Sequence, residues 1–242
     1  MPAERTVRHE RSGAVGLVTL DRPAVLNAYS VQMRDELHEL LGGLARDADL
    51  RVVVFRGAGR AFCAGADLGE FGTAPSPFEA RRIRFERDVW AALRGLPVPT
   101  IAALHGHAIG SGLELALHCN LRVATRSASL WMPEARVGVL PAAGGTQTIP
   151  RLSPHAARIL LLGEPIDGAT ALEHGLVDVV VDDDELEARS LALAGQIART
   201  PRATLVGLVR LLRLQDNLSV GDAIAVERRL ALRRSATRGR RR

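Results

Sequence analysis

The sequence is short of several residue types, and each shortage excludes something. No lysine occurs among its 242 residues, so arginine supplies every strongly basic side chain. Aromatic residues make up 3%, so a hydrophobic core must be built from alanine, valine, leucine and isoleucine. The two cysteines, Cys63 and Cys119, are too few for a disulfide framework. Their apolar flanks predict buried free thiols, as expected of a protein from a reducing compartment.

Long hydrophobic runs are also missing. No stretch of 18 or more apolar residues occurs, so no transmembrane helix is expected. The first residues, MPAERTVRHER, lack the apolar segment of a secretory signal peptide. Apolar residues nevertheless make up 47% of the chain, enough for one large domain to bury a core. These features predict a soluble, cytoplasmic protein that does not associate with membranes.

Acidic residues are absent from the end of the chain. Residues 228–242 contain eight arginines and no aspartate or glutamate, whereas the whole chain has a net charge of +5. Removing these eight charges leaves −3 for the rest, so the basic character belongs to the tail. Such a run is typical of a solvated end. Nucleic acid is therefore not an expected partner, although a basic tail that binds RNA stays an alternative.

Strand-like and helix-like patterns alternate along most of the chain, which indicates an α/β fold. Ser30 is expected to cap one helix, and Ser76 and Glu79 have the spacing of a capping box. We expect a core over residues 1–183 and a helical C-terminal region over 184–242 that ends in the basic tail. The predicted strands cover 13–20, 51–57, 99–106, 121–125, 129–133 and 175–182, and the predicted helices cover 30–44, 76–96, 113–119, 153–163, 168–174 and the part after 184.

A glutamate interrupts the apolar stretch AIGSGLELALHC, residues 108–119. Gly110 and Gly112 permit a tight turn into a helix. The first turn of a helix presents unpaired N–H groups, which can polarise a carbonyl oxygen. Glu114 lies in that first turn. Its carboxylate either caps its own helix or takes part in chemistry there, and this stretch alone does not separate the two.

A second glycine loop and a second isolated carboxylate favour chemistry. The loop FCAGADLGE also follows a buried strand, with Gly65 before a predicted helix start at Ala66. Two such loops could supply two N–H donors to one oxygen, as in an oxyanion hole. Glu134 lies in an apolar surround, where burial raises the pKa of a carboxyl group toward that of a general acid or base. The structural alternative for Glu134 is an ion pair with Arg136.

Five segments together resemble the crotonase family, the enoyl-CoA hydratase/isomerase superfamily. The resemblance runs from about Gly16 to about Gln215. It implies a spiral of ββα units followed by a helical C-terminal oligomerisation region, assembled as a homotrimer or a dimer of trimers. The five segments are DRPAVLNAYS, GAGRAFCAGADL, PTIAALHGHAIGSGLELALHCNLRVAT, MPEARVGVLPAAGGTQTIPR and GEPIDGATALEHGLVDVV.

The resemblance also implies roles for individual residues. Glu114 and Glu134 match the two glutamates with which the hydratases activate one water and protonate the α-carbon. The backbone N–H groups of Ala66 and Ser111 match the oxyanion hole for the thioester oxygen. No metal and no cofactor is implied, because coenzyme A is part of the acyl-CoA substrate. The positions that match contacts to the substrate or its CoA moiety are Arg22, Ala24, Leu26, Ala64, Ala66, Asp67, Leu68, Gly69 and Ser111.

The presence of both glutamates favours one reaction among those of the family. This is the syn addition of water to a 2-trans-enoyl-CoA, giving a 3-hydroxyacyl-CoA in fatty-acid or related acyl-CoA degradation. Many members with isomerase or other chemistry keep one glutamate, so enoyl-CoA isomerisation stays an alternative. A catalytically silent scaffold or RNA-binding member is the alternative of another class. Two positions depart from the family's pattern: Ala142 replaces a common glycine, and Gly69 replaces a lysine that often lies near the CoA phosphates.

Overall fold

The structure is a computed structural model that describes residues 4–70, 73, 75–76, 78–79, 82 and 86–239. Strands and helices alternate along the chain up to residue 181, and the described residues after it form helices and their connections. The strands are β1 (Val7–Ser12), β2 (Val15–Leu20), β3 (Val52–Gly57), β4 (Thr100–Leu104), β5 (His107–Ile109), β6 (Leu121–Thr125), β7 (Ser129–Trp131) and β8 (Val179–Val181). The described α-helices are α1 (Val31–Arg46), α2 (Val89–Gly95), α3 (Ser111–Leu117), α4 (Gly145–Leu152), α5 (Ala156–Leu162), α6 (Gly168–Glu173), α7 (Leu186–Ala198), α8 (Arg202–Leu212) and α9 (Val220–Gly239).

The main sheet has six strands in the order β1-β2-β3-β4-β6-β8. β1 pairs with β2 in antiparallel orientation, and the other neighbouring strands run parallel. A parallel sheet of this kind is covered on both faces, so its inner strands are continuous apolar runs. β4, with the sequence TIAAL, is buried at every position. The expected α/β architecture is thereby confirmed.

Helices cover both faces of the main sheet. Successive side chains of β3 point to opposite faces, as in any strand. Val53 and Phe55 belong to the larger core, which also contains the buried side chains of α1 and α2. Val52 and Val54 belong to a second core, which α7 covers. The cap predicted for α1 is present, since Ser30 Oγ accepts a hydrogen bond from the N–H of the third residue of that helix at 3.2 Å.

A separate parallel pair, β5 and β7, carries the loops of the candidate site. β5 is joined to the loop after β3 by a bridge between Cys63 and Ala108. β7 leads directly into a 3₁₀ helix, Pro133–Val137. Both cysteines are buried free thiols, as predicted. Burial raises the pKa of Cys63 to about 11, so this thiol stays protonated and inert at neutral pH.

The C-terminal region consists of α7, α8 and α9. α7 packs on β3, β4 and β6, whereas α9 exposes Val220, Ile224 and Leu232.

No helix in the described ranges is long and apolar enough to span a membrane. The division of the chain at residue 183 stays a prediction. Of the predicted basic tail, residues 240–242 lie outside the described residues.

Several elements differ from the predictions; β5 and α4, for example, are not among the predicted strands and helices. β1 has the sequence VRHERS, which lacks an apolar run because an edge strand exposes most of its side chains. The predicted helix over 76–96 is interrupted, and α2 begins at Val89 with Asp88 as its cap. Ser76 Oγ does accept from the Glu79 N–H at 3.2 Å, but much of 71–85 lies outside the described residues. The helix predicted from 153 begins at Ala156.

Candidate active site

Two glycine-containing loops, which follow β3 and β5, lie against each other. The Cys63 N–H donates to the His107 carbonyl at 2.9 Å, and the Ile109 N–H donates to the Cys63 carbonyl at 3.0 Å. A Cβ atom at Gly112 would overlap the Cys63 carbonyl, and one at Gly65 would lie 2.9 Å from the Ile109 carbonyl oxygen. Glycine is required at both positions because other residues would not permit this approach. The two predicted donor loops are therefore in contact.

Ala66 and Ser111 each present a backbone N–H that has no acceptor within the described part of the chain. Ala66 forms a bridge to Tyr29, but the bridge uses the Gly65 carbonyl and the Asp67 N–H. Ser111 is the first residue of α3, and first-turn N–H groups have no acceptor inside their own helix. Both residues are partly exposed. The two N–H groups are available to an oxygen from outside the protein.

The helix start predicted at Ala66 is wrong. The chain forms only a 3₁₀ turn there, Leu68–Glu70. Asp67 Oδ1 accepts a hydrogen bond from the Gly69 N–H at 3.0 Å, a local turn that competes with helix formation. The Ala66 N–H therefore gains nothing from a helix dipole, which needs several aligned peptide units.

The loop before α1 is tied to the Ala66 loop by Arg22 and Asn27. Arg22 Nη1 lies 2.8 Å from Asp67 Oδ2, and this hydrogen bond is the main cause that lowers the pKa of Asp67. Asn27 is fully buried, and its amide donates to the carbonyl oxygens of Ala58 and Ala61 at 2.8 and 2.7 Å. The sequence pattern gives no indication of this role for Asn27. Of the other positions predicted to contact CoA, Ala24, Leu68 and Gly69 are exposed, and Leu26 and Ala64 are partly exposed.

Glu114 projects from the first turn of α3, as predicted, and only 2% of its surface is exposed. Its Oε1 accepts hydrogen bonds from the N–H groups of Ala143 at 3.0 Å and Gly145 at 2.8 Å. These donors belong to the turn that leads into α4. Oε1 of Glu114 therefore binds the turn before α4 and not the start of its own helix. Two backbone N–H donors thus hold one oxygen of this buried carboxyl group in a fixed position.

Glu134 lies in the 3₁₀ helix after β7, next to Gly110. A Cβ atom at Gly110 would lie 2.8 Å from Glu134 Oε1, and the Gly110 carbonyl accepts from the Glu114 N–H at 2.8 Å. Gly110 thus lies beside the carboxyl group of Glu134 and is hydrogen-bonded to the backbone of Glu114. Glu134 Oε2 is buried and has no hydrogen-bond partner among the residues that the structure describes. Burial raises the pKa of Glu134 above its ordinary value.

The two carboxyl groups therefore differ in their hydrogen bonding. Glu114 accepts two backbone hydrogen bonds, whereas Glu134 Oε2 has no partner among the described residues, and burial raises the pKa of Glu134. Arg136 does not neutralise Glu134, since its Nε donates to the Leu162 carbonyl at 2.7 Å, and the alternative of an ion pair is wrong. When surroundings separate two carboxyl groups in this way, one is suited to accept a proton and the other to donate one. Glu114 is the candidate base and Glu134 the candidate acid.

Replacing Glu134 by glutamine should stabilise the folded protein at neutral and alkaline pH. The folded state raises the pKa of Glu134, so wild-type stability falls as the pH rises from the ordinary value of 4.5 through the folded value. Glutamine carries no charge at any pH and avoids this loss. We expect a higher Tm for Glu134→Gln than for wild type at pH 8, and converging Tm values near pH 4, by scanning calorimetry. Glu39→Gln, at an exposed position of α1, is the control; a pH-independent difference for Glu134→Gln would contradict the assignment.

The histidines near the site do not form a metal centre. The described ranges contain no group of three or more His, Cys, Asp or Glu side chains that could hold a metal ion. His105 Nε2 lies 3.0 Å from the Gly59 carbonyl oxygen, and His107 is exposed. His105 therefore holds a neighbouring loop.

Known proteins resemble this chain in both sequence and structure. A protein of Bacillus subtilis strain 168 named "Probable enoyl-CoA hydratase" is 38% identical over 220 residues, which are 88% of this chain and 84% of the relative. The crystal structure of enoyl-CoA hydratase from Mycobacterium smegmatis matches with a TM-score of 0.89 and 32% identity, covering 95% of this chain and 90% of that one. The structure of DspI from Pseudomonas aeruginosa matches with a TM-score of 0.90 and 34% identity, covering 96% and 89%.

These likenesses confirm the crotonase-like fold that the sequence predicts. They extend through the helical C-terminal region, since the structural matches cover nearly the whole chain. The sequence profile of the enoyl-CoA hydratase/isomerase family matches residues 10–238. The chain belongs to the enoyl-CoA hydratase/isomerase family.

Proposed function

We propose that this protein is an enoyl-CoA hydratase, a hydro-lyase that adds water to a 2-trans-enoyl-CoA in syn geometry. The observation that carries the proposal is the different hydrogen bonding of two carboxyl groups. Glu114 is held by two N–H donors, and the half-buried Glu134 has one buried oxygen that lacks a described partner. Addition of water needs one group that accepts a proton and one that donates a proton. The relatives named as hydratases support the same reaction.

In the proposed reaction, the thioester oxygen of the substrate accepts hydrogen bonds from the N–H groups of Ala66 and Ser111. Glu114 takes a proton from water while the water oxygen bonds to the β-carbon. The π electrons move toward the thioester oxygen, where the two N–H groups stabilise the enolate charge. Glu134 then gives its proton to the α-carbon. The product is a 3-hydroxyacyl-CoA, and a proton returned from Glu114 to Glu134 restores the starting state.

The proposed CoA site lies on the exposed side of the Ala66 loop. Ala24, Leu68 and Gly69 are accessible there, and Leu26 and Ala64, which are joined by a backbone hydrogen bond of 3.0 Å, are partly exposed. Arg22 holds this surface together through Asp67, and it supplies positive charge where the chain has no lysine. No cofactor enters the proposed reaction, because CoA arrives as part of the substrate.

The proposed assembly is a homotrimer or a dimer of trimers formed through the C-terminal helices. Exposed apolar side chains on α9, including Val220, Ile224 and Leu232, support an interface there. Size-exclusion chromatography with light scattering measures the assembly directly. A cytoplasmic location stays a prediction from the sequence.

The test of the proposed function is the ultraviolet absorbance of the conjugated enoyl thioester. Crotonyl-CoA and longer 2-trans-enoyl-CoA substrates should lose this absorbance when the protein is added, because hydration removes the double bond. A 3-enoyl-CoA substrate separates the isomerase alternative, since isomerisation into conjugation increases the absorbance. A protein that changes neither substrate but binds RNA with a strong salt dependence would favour the scaffold alternative.

A further inference from the structure

His118 lies one turn after Glu114, at the C-terminal end of α3. Its Nε2 is 2.6 Å from the Ala143 carbonyl oxygen. A carbonyl oxygen can only accept, so the hydrogen of the imidazole is on Nε2 and His118 is the donor. The chemistry of the pair therefore fixes the tautomer.

The same peptide segment that His118 binds also holds Glu114. Ala143 accepts the hydrogen bond of His118 through its carbonyl and donates its own N–H to Glu114 Oε1 at 3.0 Å. Two residues later, Gly145 gives the second hydrogen bond to Glu114 at 2.8 Å. The residue between them, Gly144, has a φ of +109°, and a Cβ atom there would lie 3.0 Å from His118 Nε2. His118 thus reaches the turn at the point where it bends toward Glu114.

Burial lowers the pKa of His118 below its ordinary value and so favours the neutral imidazole. The hydrogen bond to Ala143 acts in the opposite direction, Arg94 adds to the lowering, and Asp88 opposes it. Arg94 Nη1 lies 3.4 Å from Nε2, but both atoms carry hydrogens, so this contact is not a hydrogen bond. The Trp90 ring packs beside the imidazole, with centroids 6.1 Å apart. Trp90, Arg94 and His118 also line a cleft of about 600 Å³ together with Arg151.

We propose that His118 is a positioning residue for the reaction. The catalytic part of this proposal rests on the proposed function. His118 does not touch the reacting atoms. It fixes the Ala143 peptide, and through Ala143 and Gly145 it orients the carboxyl group of Glu114. The sequence pattern indicates only a core or helix-surface histidine at this position.

Hydrogen exchange tests the positioning role without any turnover. The variant His118→Leu removes the donor and keeps an apolar side chain, whereas His118→Gln can supply a side-chain N–H. We expect faster amide exchange in peptides that cover 141–147 for His118→Leu, by mass spectrometry, and exchange close to wild type for His118→Gln. His105→Leu is the matched control, because it removes a ring contact with another loop carbonyl and should leave 141–147 unchanged.

Kinetics on the same variants test the consequence for catalysis. Loss of the donor should lower kcat about tenfold with little change in KM, since the effect of one hydrogen bond is of this size. The acidic limb of the kcat profile should move to higher pH, because a carboxylate with poorer hydrogen bonds gains a proton more readily. His118→Gln should recover most of the loss.

Two results would overturn the proposal. One is wild-type exchange at 141–147 together with a wild-type pH profile in folded His118→Leu protein. The other is faster exchange spread evenly over the chain, which would mean a general loss of stability. If the wild-type protein hydrated no enoyl-CoA, the proposed function would fail on its own, and the exchange result would still decide whether His118 fixes the turn.

Discussion

Replacing either Glu114 or Glu134 by glutamine should lower the hydration rate by about 10² to 10⁴-fold, the range for lost acid–base catalysis. Glutamine keeps the shape of the side chain but can neither accept the proton from water at Glu114 nor donate one at Glu134. In Glu114→Gln, an amide group also replaces the carboxylate that accepts hydrogen bonds from the N–H groups of Ala143 and Gly145. The measurement is the loss of enoyl absorbance with crotonyl-CoA.

The double variant distinguishes a shared role from two separate ones. Because both glutamates act on one water and one substrate, the double variant should be little slower than the slower single variant. Glu39→Gln serves again as the control and should keep the wild-type rate. Near-wild-type hydration by either single variant would show that the residue concerned is not catalytic.

Substitution of Ser111 by proline should cost about 10² to 10³-fold in rate, or roughly 3 to 4 kcal/mol, as for the loss of one oxyanion-hole donor. Proline has no N–H, and the enolate oxygen would then keep only the donor of Ala66. Ser111 is the first residue of α3, a position where proline is well tolerated, so the fold should survive. Circular dichroism checks that it does.

Ser111→Ala is the matched control for this prediction. Alanine keeps the backbone N–H and removes only the hydroxyl, so most of the activity should remain. Equal loss of activity in the alanine and proline variants would assign the role to the hydroxyl group. Full activity of a folded Ser111→Pro protein would remove this N–H from the site.

Features set by short-range pattern could be predicted from the sequence. The buried strands β3 and β4 follow from continuous apolar runs, and the start of α1 follows from Ser30. Glu114 and Glu134 are conspicuous because each is a charge in an apolar segment. Their identity as candidate catalytic groups therefore needs no tertiary information.

The way in which the carboxyl groups are held could not be predicted, because it depends on distant backbone atoms. Glu114 finds its donors 29 and 31 residues later in the chain, at Ala143 and Gly145. A backbone N–H has no sequence signature, since every residue except proline carries one. The hydrogen bond of His118 to a backbone carbonyl oxygen could not be predicted either, because every residue carries such a carbonyl group. The helix predicted to start at Ala66 is absent because a local hydrogen bond of Asp67 favours a 3₁₀ turn at Leu68–Glu70.

The parallel order of the main sheet bears on how the chain folds. Neighbouring parallel strands are far apart in sequence; Arg122 of β6, for example, binds Asp178, just before β8 and 56 residues later. Closing such long loops costs entropy before the paired strands compensate for it, so folding of this topology is slow. Glu114 meets its donors only after the chain has passed around β6 and β7. Its contacts with Ala143 and Gly145 span 29 and 31 residues, so the ordering of this carboxyl group depends on the same kind of long-range loop closure as the pairing of the parallel strands.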